Sequence, residues 1–265
     1  MYLSFVCGIC VGSLLFPSKG FATLSGNPGQ PGLQTKGIVL ENPSWWDLRF
    51  AYFGDYVYSQ PSQDTFIQEG AEREQYHMQL WTQAGMVTIN IRDWVDLYGI
   101  VGGLRIQNNN EMFTPQQFAW GVGGKVVFLH IGKWRAGCDI KYFQSEQAPQ
   151  FFQSGHLAYN ITSSFSFLYT EVQAALGLTY RTRYVAPYAS VSYLNAQLSP
   201  TPPSVFLRIP SRNREMRVPI KSVSIMNHFG LVLGATLIDI RTATLSLEWR
   251  AFNQNSIDLT GEIRF

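Results

Sequence analysis

The last ten residues of the chain, residues 256–265, read SIDLTGEIRF. Apolar residues or glycine occupy every second position, and polar residues occupy the positions between them. Every charged side chain therefore falls on one face of an extended chain, and the final residue, Phe265, falls on the other. A period of two over this length predicts a β-strand with one apolar and one polar face.

The same alternation recurs through the body of the chain. In the stretch from Trp46 to Tyr58, for example, rings alternate with Asp47, Arg49 and Asp55. As α-helices such segments would scatter their apolar residues around the cylinder, so strands are favoured. Ten segments qualify, at residues 45–58, 75–91, 94–106, 117–131, 133–144, 169–182, 184–196, 226–240, 242–252 and 255–265.

The composition limits the classes of protein to which these strands can belong. Charged residues make up 14% of the 265 residues, against about 25% in a typical soluble protein. Mean hydropathy is nevertheless close to neutral, at −0.04, and after residue 16 no apolar run approaches the roughly 18 residues of a membrane helix. A helical membrane protein and a disordered chain are both excluded. The net charge of +2 is too small and too dispersed for nucleic-acid binding.

A membrane barrel and a soluble sandwich both have strands with one apolar face. Two features favour the barrel: rings cluster near the strand ends, as in interface girdles, and short and long connections alternate. The prediction is an all-β transmembrane antiparallel barrel of ten to twelve strands, with up to sixteen as an alternative and both termini periplasmic. A further hairpin around residues 211–215 would raise the count to twelve. The rings expected at the membrane interfaces are Trp46, Tyr58, Trp134, Tyr142, Tyr180, Trp249 and Phe265.

The N-terminal residues have the layout of an export signal. Residues 1–22 contain an apolar stretch followed by small residues, although no Lys or Arg precedes that stretch. We predict a signal peptide at 1–22, a periplasmic segment at 23–44 and a barrel at 45–265; the alternative for the first residues is a buried strand or helix. Cleavage would leave Cys138 as the single cysteine, so no intramolecular disulfide is expected.

Four stretches resemble the major outer membrane protein family of chlamydial porins. They are GNPGQPGLQTKGIVLENPSWWDLRFAYFGDYVY, NIRDWVDLYGIVGG, FAWGVGGKVVFLHIGKWRAGCDIKYFQSEQ, and the closing run from YTEVQAALGLTYRTRYVAPYASVSYLNAQLS to the terminal IRF. The terminal Phe265 is also similar to the assembly signal of bacterial outer-membrane barrels. The resemblance implies a porin, a homotrimer and an adhesive surface antigen. The chain departs from the family in its shorter loops and its single mature cysteine, which puts a disulfide-linked envelope complex in doubt.

The polar faces of the strands supply the candidate functional residues. Enclosed by a barrel in outer-membrane lipid, they predict a water-filled pathway for ions and small polar solutes. The proposed pore-lining residues are Asp47, Arg49, Asp55, Lys125, Arg135, Asp139, Lys141, Glu171, Arg181, Glu248, Arg250, Asp258, Glu262 and Arg264. The alternative is that these charges pair across a narrow lumen and fill it, which would give a non-conducting structural barrel or adhesin.

A second candidate site lies in the long connection at residues 200–221. Five cations oppose a single acid there and predict a cationic lip that attracts anions: Arg208, Arg212, Arg214, Arg217 and Lys221. The alternative is a solvated loop that meets lipopolysaccharide or host surfaces. The four histidines lack metal-ligand spacing, and neither an enzyme motif nor a cofactor motif is present. A hydrolase assembled from the Asp, Ser and His of different strands remains the third alternative.

Overall fold

The computed structural model describes residues 26–33, 45–64, 75–108, 112–149, 151–154, 157–160, 165–202, 204–209, 214–219, 222–239 and 242–265. Ten strands dominate: β1 (Trp46–Asp64), β2 (Gln75–Ile91), β3 (Val95–Asn108), β4 (Gln117–Ile131), β5 (Trp134–Gln147), β6 (Ser166–Tyr180), β7 (Val185–Thr201), β8 (Phe229–Asp239), β9 (Ala243–Ala251) and β10 (Asn255–Arg264). A single turn of 3-10 helix, Gln30–Gly32, precedes them. Among the described residues, no helix is long and apolar enough to cross a membrane.

The ten strands form one closed antiparallel barrel. Each strand pairs with the next along the chain, and β10 pairs with β1 in a register that joins Arg49 to Arg264 and Tyr56 to Ile257. Closure leaves neither edge of the sheet unpaired, as a wall surrounded by lipid requires. The predicted all-β barrel is confirmed, with ten strands.

The predicted extra hairpin forms but does not enter the wall. Ser204–Ile209 pairs with Arg214–Pro219 in a separate two-stranded sheet, so the alternatives of twelve and sixteen strands are wrong for the described structure. Other short strands extend the wall locally. Met112–Phe113 pairs with β3 and with Phe151–Ser154, which pairs with Leu157–Asn160, while Val223–Ile225 bridges β1 and β7.

The two ends of the barrel differ in their connections. At one end, here called the turn end, β2–β3, β4–β5, β6–β7 and β8–β9 are joined by short links; the opposite end is called the loop end. Arg92 and Asp93 in the first link both have positive φ, of 52° and 58°, as a two-residue turn between twisted strands requires. The Asn90 side chain accepts a hydrogen bond from the Asp93 backbone N–H at 3.1 Å and holds this turn.

The alternation read from the sequence sorts the side chains into an inner and an outer set. On β10, Ser256, Asp258, Thr260, Glu262 and Arg264 are buried inside the barrel, whereas Ile257 and Leu259 are exposed outside. Each of the ten strands presents at least one large exposed apolar side chain to the outside: Phe50, Val87, Val101, Val122, Ile140, Leu176, Val191, Leu233, Leu247 and Leu259. A continuous apolar belt on a closed barrel is the surface expected in hydrocarbon.

Candidate functional site

The charged residues predicted to line a pore lie on the inner face of the barrel, where they are packed together. All of them except the partly buried Arg181 are at most 8% exposed. A water-filled channel would leave its lining accessible. In the described structure most of these charged groups form ion pairs with one another instead, in layers stacked along the barrel axis.

The layer nearest the turn end is centred on Arg49. Its guanidinium lies 3.1 Å from Asp47, 3.5 Å from Asp96 and 3.6 Å from Glu262, which brings together β1, β3 and β10. Arg264 adds contacts of 2.7 Å to Asp47 and 3.2 Å to Asp93. Four carboxylates therefore surround two arginines, and all of these groups except the half-exposed Asp93 are buried.

Residues 26–33, here called the N-terminal segment, fill the rest of this layer. Asn27 donates to Thr236 Oγ1 at 3.0 Å, and its Oδ1 accepts bonds from the Gly29 N–H and the Thr179 hydroxyl. Gln30 Nε2 donates to Thr244 Oγ1 at 3.1 Å and to Glu262 Oε1 at 3.0 Å. The segment is thereby bonded to β6, β8, β9 and β10.

Backbone carbonyls of the N-terminal segment also receive hydrogen bonds from the wall. Pro31 O accepts from Arg49 at 2.9 Å and from the Asn90 amide at 3.2 Å, and Leu33 O accepts from Arg181 at 3.1 Å. The segment was predicted as part of a periplasmic stretch at 23–44 that precedes the barrel. Residues 26–33 lie in the lumen at the turn end, 1–25 and 34–44 fall outside the described residues, and the periplasmic location of the stretch stays a prediction.

The middle layer contains a second arginine cluster. Arg250 contacts Glu248 at 2.7 Å and Asp55 at 2.9 Å, which links β9 to β1 across their shared neighbour β10. Opposite strands carry the Lys141–Glu171 pair at 3.1 Å. Asp258 lies beside this cluster and accepts a bond from Thr260 at 3.0 Å.

Tyrosine hydroxyls satisfy further carboxylates within the lumen. Tyr98 donates to Asp139 at 2.6 Å, Tyr169 to Glu171 at 2.7 Å and Tyr188 to Glu248 at 2.8 Å. Sequence reasoning missed these tyrosines. Their position on the polar face of their strands was the available signal, since Tyr98 and Tyr188 each share a face with neighbouring polar residues.

Two further predicted pore residues, Lys125 and Arg135, also lie on the inner face. Lys125 lies over the Tyr98 ring, with its Nζ 5.8 Å from the ring centroid. Arg135 is buried near the turn end, where its register partner on β4 is His130.

Toward the loop end the lumen becomes an apolar core. The inward side chains here pack against one another rather than against water, and they include Val57, Met78, Leu80, Leu104, Ile106, Phe143, Phe167 and Leu198. Thr114 donates to Gln147 at 2.6 Å beside this core. Barrel diameter grows with strand number, and at about eight strands side chains alone fill the interior. Ten strands are filled here by large side chains together with the N-terminal segment.

The rings predicted at the membrane interfaces lie on the outer face. Tyr142 and Tyr180 are half-buried. The other five are exposed: Trp46, Tyr58, Trp134, Trp249 and Phe265. Trp134 packs against Tyr180 with centroids 4.8 Å apart, and Phe50 packs edge-on against Phe265 at 5.4 Å. Cys138 is a free, half-buried thiol on the same face.

The predicted cationic lip falls outside what the structure describes. Arg212 and Lys221 lie outside the described residues, and for Arg208, Arg214 and Arg217 only the backbone of the hairpin is described. The anion-attracting role stays a prediction.

The described histidines give little support to a hydrolase. His77 shares a hydrogen bond of 3.1 Å with the Ser59 hydroxyl near the loop end, while His130 and His228 bond to backbone carbonyls. Within the described part of the chain no carboxylate is bonded to His77, so the group that would orient a catalytic histidine is missing there. In the described part of the chain, no three or more His, Cys, Asp or Glu side chains are grouped so that they could hold a metal ion.

Comparisons with known proteins agree with this architecture. No protein-family model matches the chain. The chain is similar to the major outer membrane porin of Chlamydia pneumoniae, with 21% identity over 91% of this chain and 93% of the relative. It is 20% identical to the serovar A porin of Chlamydia trachomatis, over 91% and 94% of the two chains. This is an outer-membrane β-barrel protein.

Two solved structures show a low similarity to this chain. The protease OmpT of Escherichia coli gives a TM-score of 0.46 at 9% identity, covering 84% of this chain and 97% of that chain. The translocator domain of the autotransporter NalP from Neisseria meningitidis gives 0.45 at 10% identity, covering 84% and 90%.

Proposed function

We propose that this chain is a structural barrel of the outer membrane, closed to diffusion, which builds part of the envelope wall and holds its long loops at one surface. The observation that carries the proposal is the filled lumen. Ion pairs occupy its middle, the N-terminal segment its turn end and an apolar core its loop end.

The energetics favour a lumen that stays filled. Removing one partner of a buried ion pair costs about 3–5 kcal/mol, so separating the Arg49 or Arg250 clusters would strand several carboxylates. The apolar core adds a second barrier, because a narrow hydrophobic constriction excludes water and ions.

Single-channel recording in a planar bilayer tests the proposal. The full-length protein, shown to be folded by its heat-dependent shift on a denaturing gel, should give no stepwise conductance. Reproducible steps that scale with protein concentration would contradict a closed barrel.

A porin that passes ions and small polar solutes is the second candidate. The specific observation in its favour is that relatives covering 91% of this chain are named major outer membrane porins. On this alternative the inner charges would line the pathway after the N-terminal segment leaves the lumen. The unmodified protein should then conduct in steps, and replacing both Asn27 and Gln30 with alanine should make those steps more frequent.

A further inference from the structure

The turn end of the barrel repeats one arrangement in three successive connections. Each connection exposes one cation close in sequence to one aromatic ring. The pairs are Arg92 with Trp94, Lys133 with Trp134, and Arg183 with Tyr184. In the third pair the guanidinium lies 5.0 Å from the ring centroid.

The three connections are also neighbours in space. They join β2 to β3, β4 to β5 and β6 to β7, which are consecutive strands of the wall. Since neighbouring strands are about 4.8 Å apart, successive connections are about 10 Å apart around the rim. The cations therefore form a continuous basic arc over six strands.

Within the described part of the chain, this arc is not neutralised by nearby acids. None of Arg92, Lys133 and Arg183 forms an ion pair with another described residue. The half-exposed acid next to them, Asp93, is held by Arg264 at 3.2 Å. At the loop end, the described outward-facing charges include Glu146 and Arg105, and the latter stacks over Trp81 and Phe113.

We propose that this basic arc binds the phosphate headgroups of anionic phospholipids in the leaflet that surrounds the turn end. Rings beside the cations place the arc at the depth of the headgroups, because Trp and Tyr favour the boundary between hydrocarbon and water. Arginine and lysine there reach phosphate oxygens, and the guanidinium binds them with two parallel hydrogen bonds. The chemical class of the ligand is thus a phospholipid with net negative charge.

Tryptophan quenching by brominated lipids measures this preference in the full-length protein. Trp45, Trp94 and Trp134 lie exposed at the turn end and report on lipid bound there. Quenching by brominated phosphatidylglycerol and by brominated phosphatidylcholine gives a relative association constant. Each cation near an anionic surface contributes about a fivefold preference at low salt. The unmodified protein should therefore favour phosphatidylglycerol severalfold, and this preference should fall in high salt.

The variant R92Q/K133Q/R183Q should bind the two lipids equally. R92K/R183K should keep the preference, and Arg105→Gln, a matched loss of charge at the loop end, should leave it unchanged. No preference in the unmodified protein, or a preference that survives the triple substitution, would overturn the proposal. Inorganic phosphate that abolished the preference at matched ionic strength would also overturn it, since the arc would then be a site for the free ion.

Discussion

Replacing Gln30 with alanine tests whether the N-terminal segment holds the barrel together from inside. The substitution removes the hydrogen bond to Thr244 Oγ1, worth about 1 kcal/mol, and the bond to the Glu262 carboxylate, worth about 1.5–3 kcal/mol. Gln30 Oε1 has no hydrogen-bond partner among the described residues, so the loss of this atom adds no further cost. The free energy of unfolding should fall by about 3 kcal/mol.

Urea titration in phospholipid vesicles, followed by tryptophan fluorescence, measures this change. Gln83→Ala is the matched control, because Gln83 lies partly exposed on the outer face of β2 and should shift the free energy by less than about 0.5 kcal/mol. If Gln30→Ala behaved like this control, the N-terminal segment would contribute no stability from within the lumen and the layered description of the turn end would be wrong.

Three further substitutions test other parts of the structure by the same titration. Arg49→Met should destabilise by about 3–5 kcal/mol because it strands buried carboxylates, and a loss no larger than that of Arg49→Lys would count against the cluster. Leu247→Arg, in the apolar belt, should cost about 2–4 kcal/mol, whereas Phe252→Arg beyond the end of β9 should cost about 1 kcal/mol or less; equal costs would argue against a belt in hydrocarbon. Gly137→Ala would push a methyl group into a carbonyl of the N-terminal segment and should cost about 1–3 kcal/mol, while Gly99→Ala meets open space and should be nearly neutral; the reverse order would show that the segment lies elsewhere.

Local pattern was enough to predict the wall. Alternation along β1, β6, β9 and β10 assigned nearly every side chain to its correct face, because strand geometry sends successive residues to opposite sides regardless of what they meet there. The same pattern could not decide whether the segment around residues 204–219 joins the barrel. The two strands of a hairpin satisfy each other's backbone hydrogen bonds. A strand pattern in the sequence therefore does not tell whether the hairpin also pairs with the barrel wall.

The side chains that fill the lumen are brought together by contacts between residues far apart in sequence, which a local pattern cannot predict. Asn27 bonds to Thr236 across 209 positions of sequence, and Arg250 meets Asp55 only because β10 closes against β1. Polar side chains on an inner face can either be hydrated by water or form ion pairs with one another. The number of strands sets the diameter, and the diameter decides which of the two occurs. The sequence therefore determined the strands, their two faces and the lipid-facing belt, while only the tertiary structure decided that ten strands enclose a filled interior.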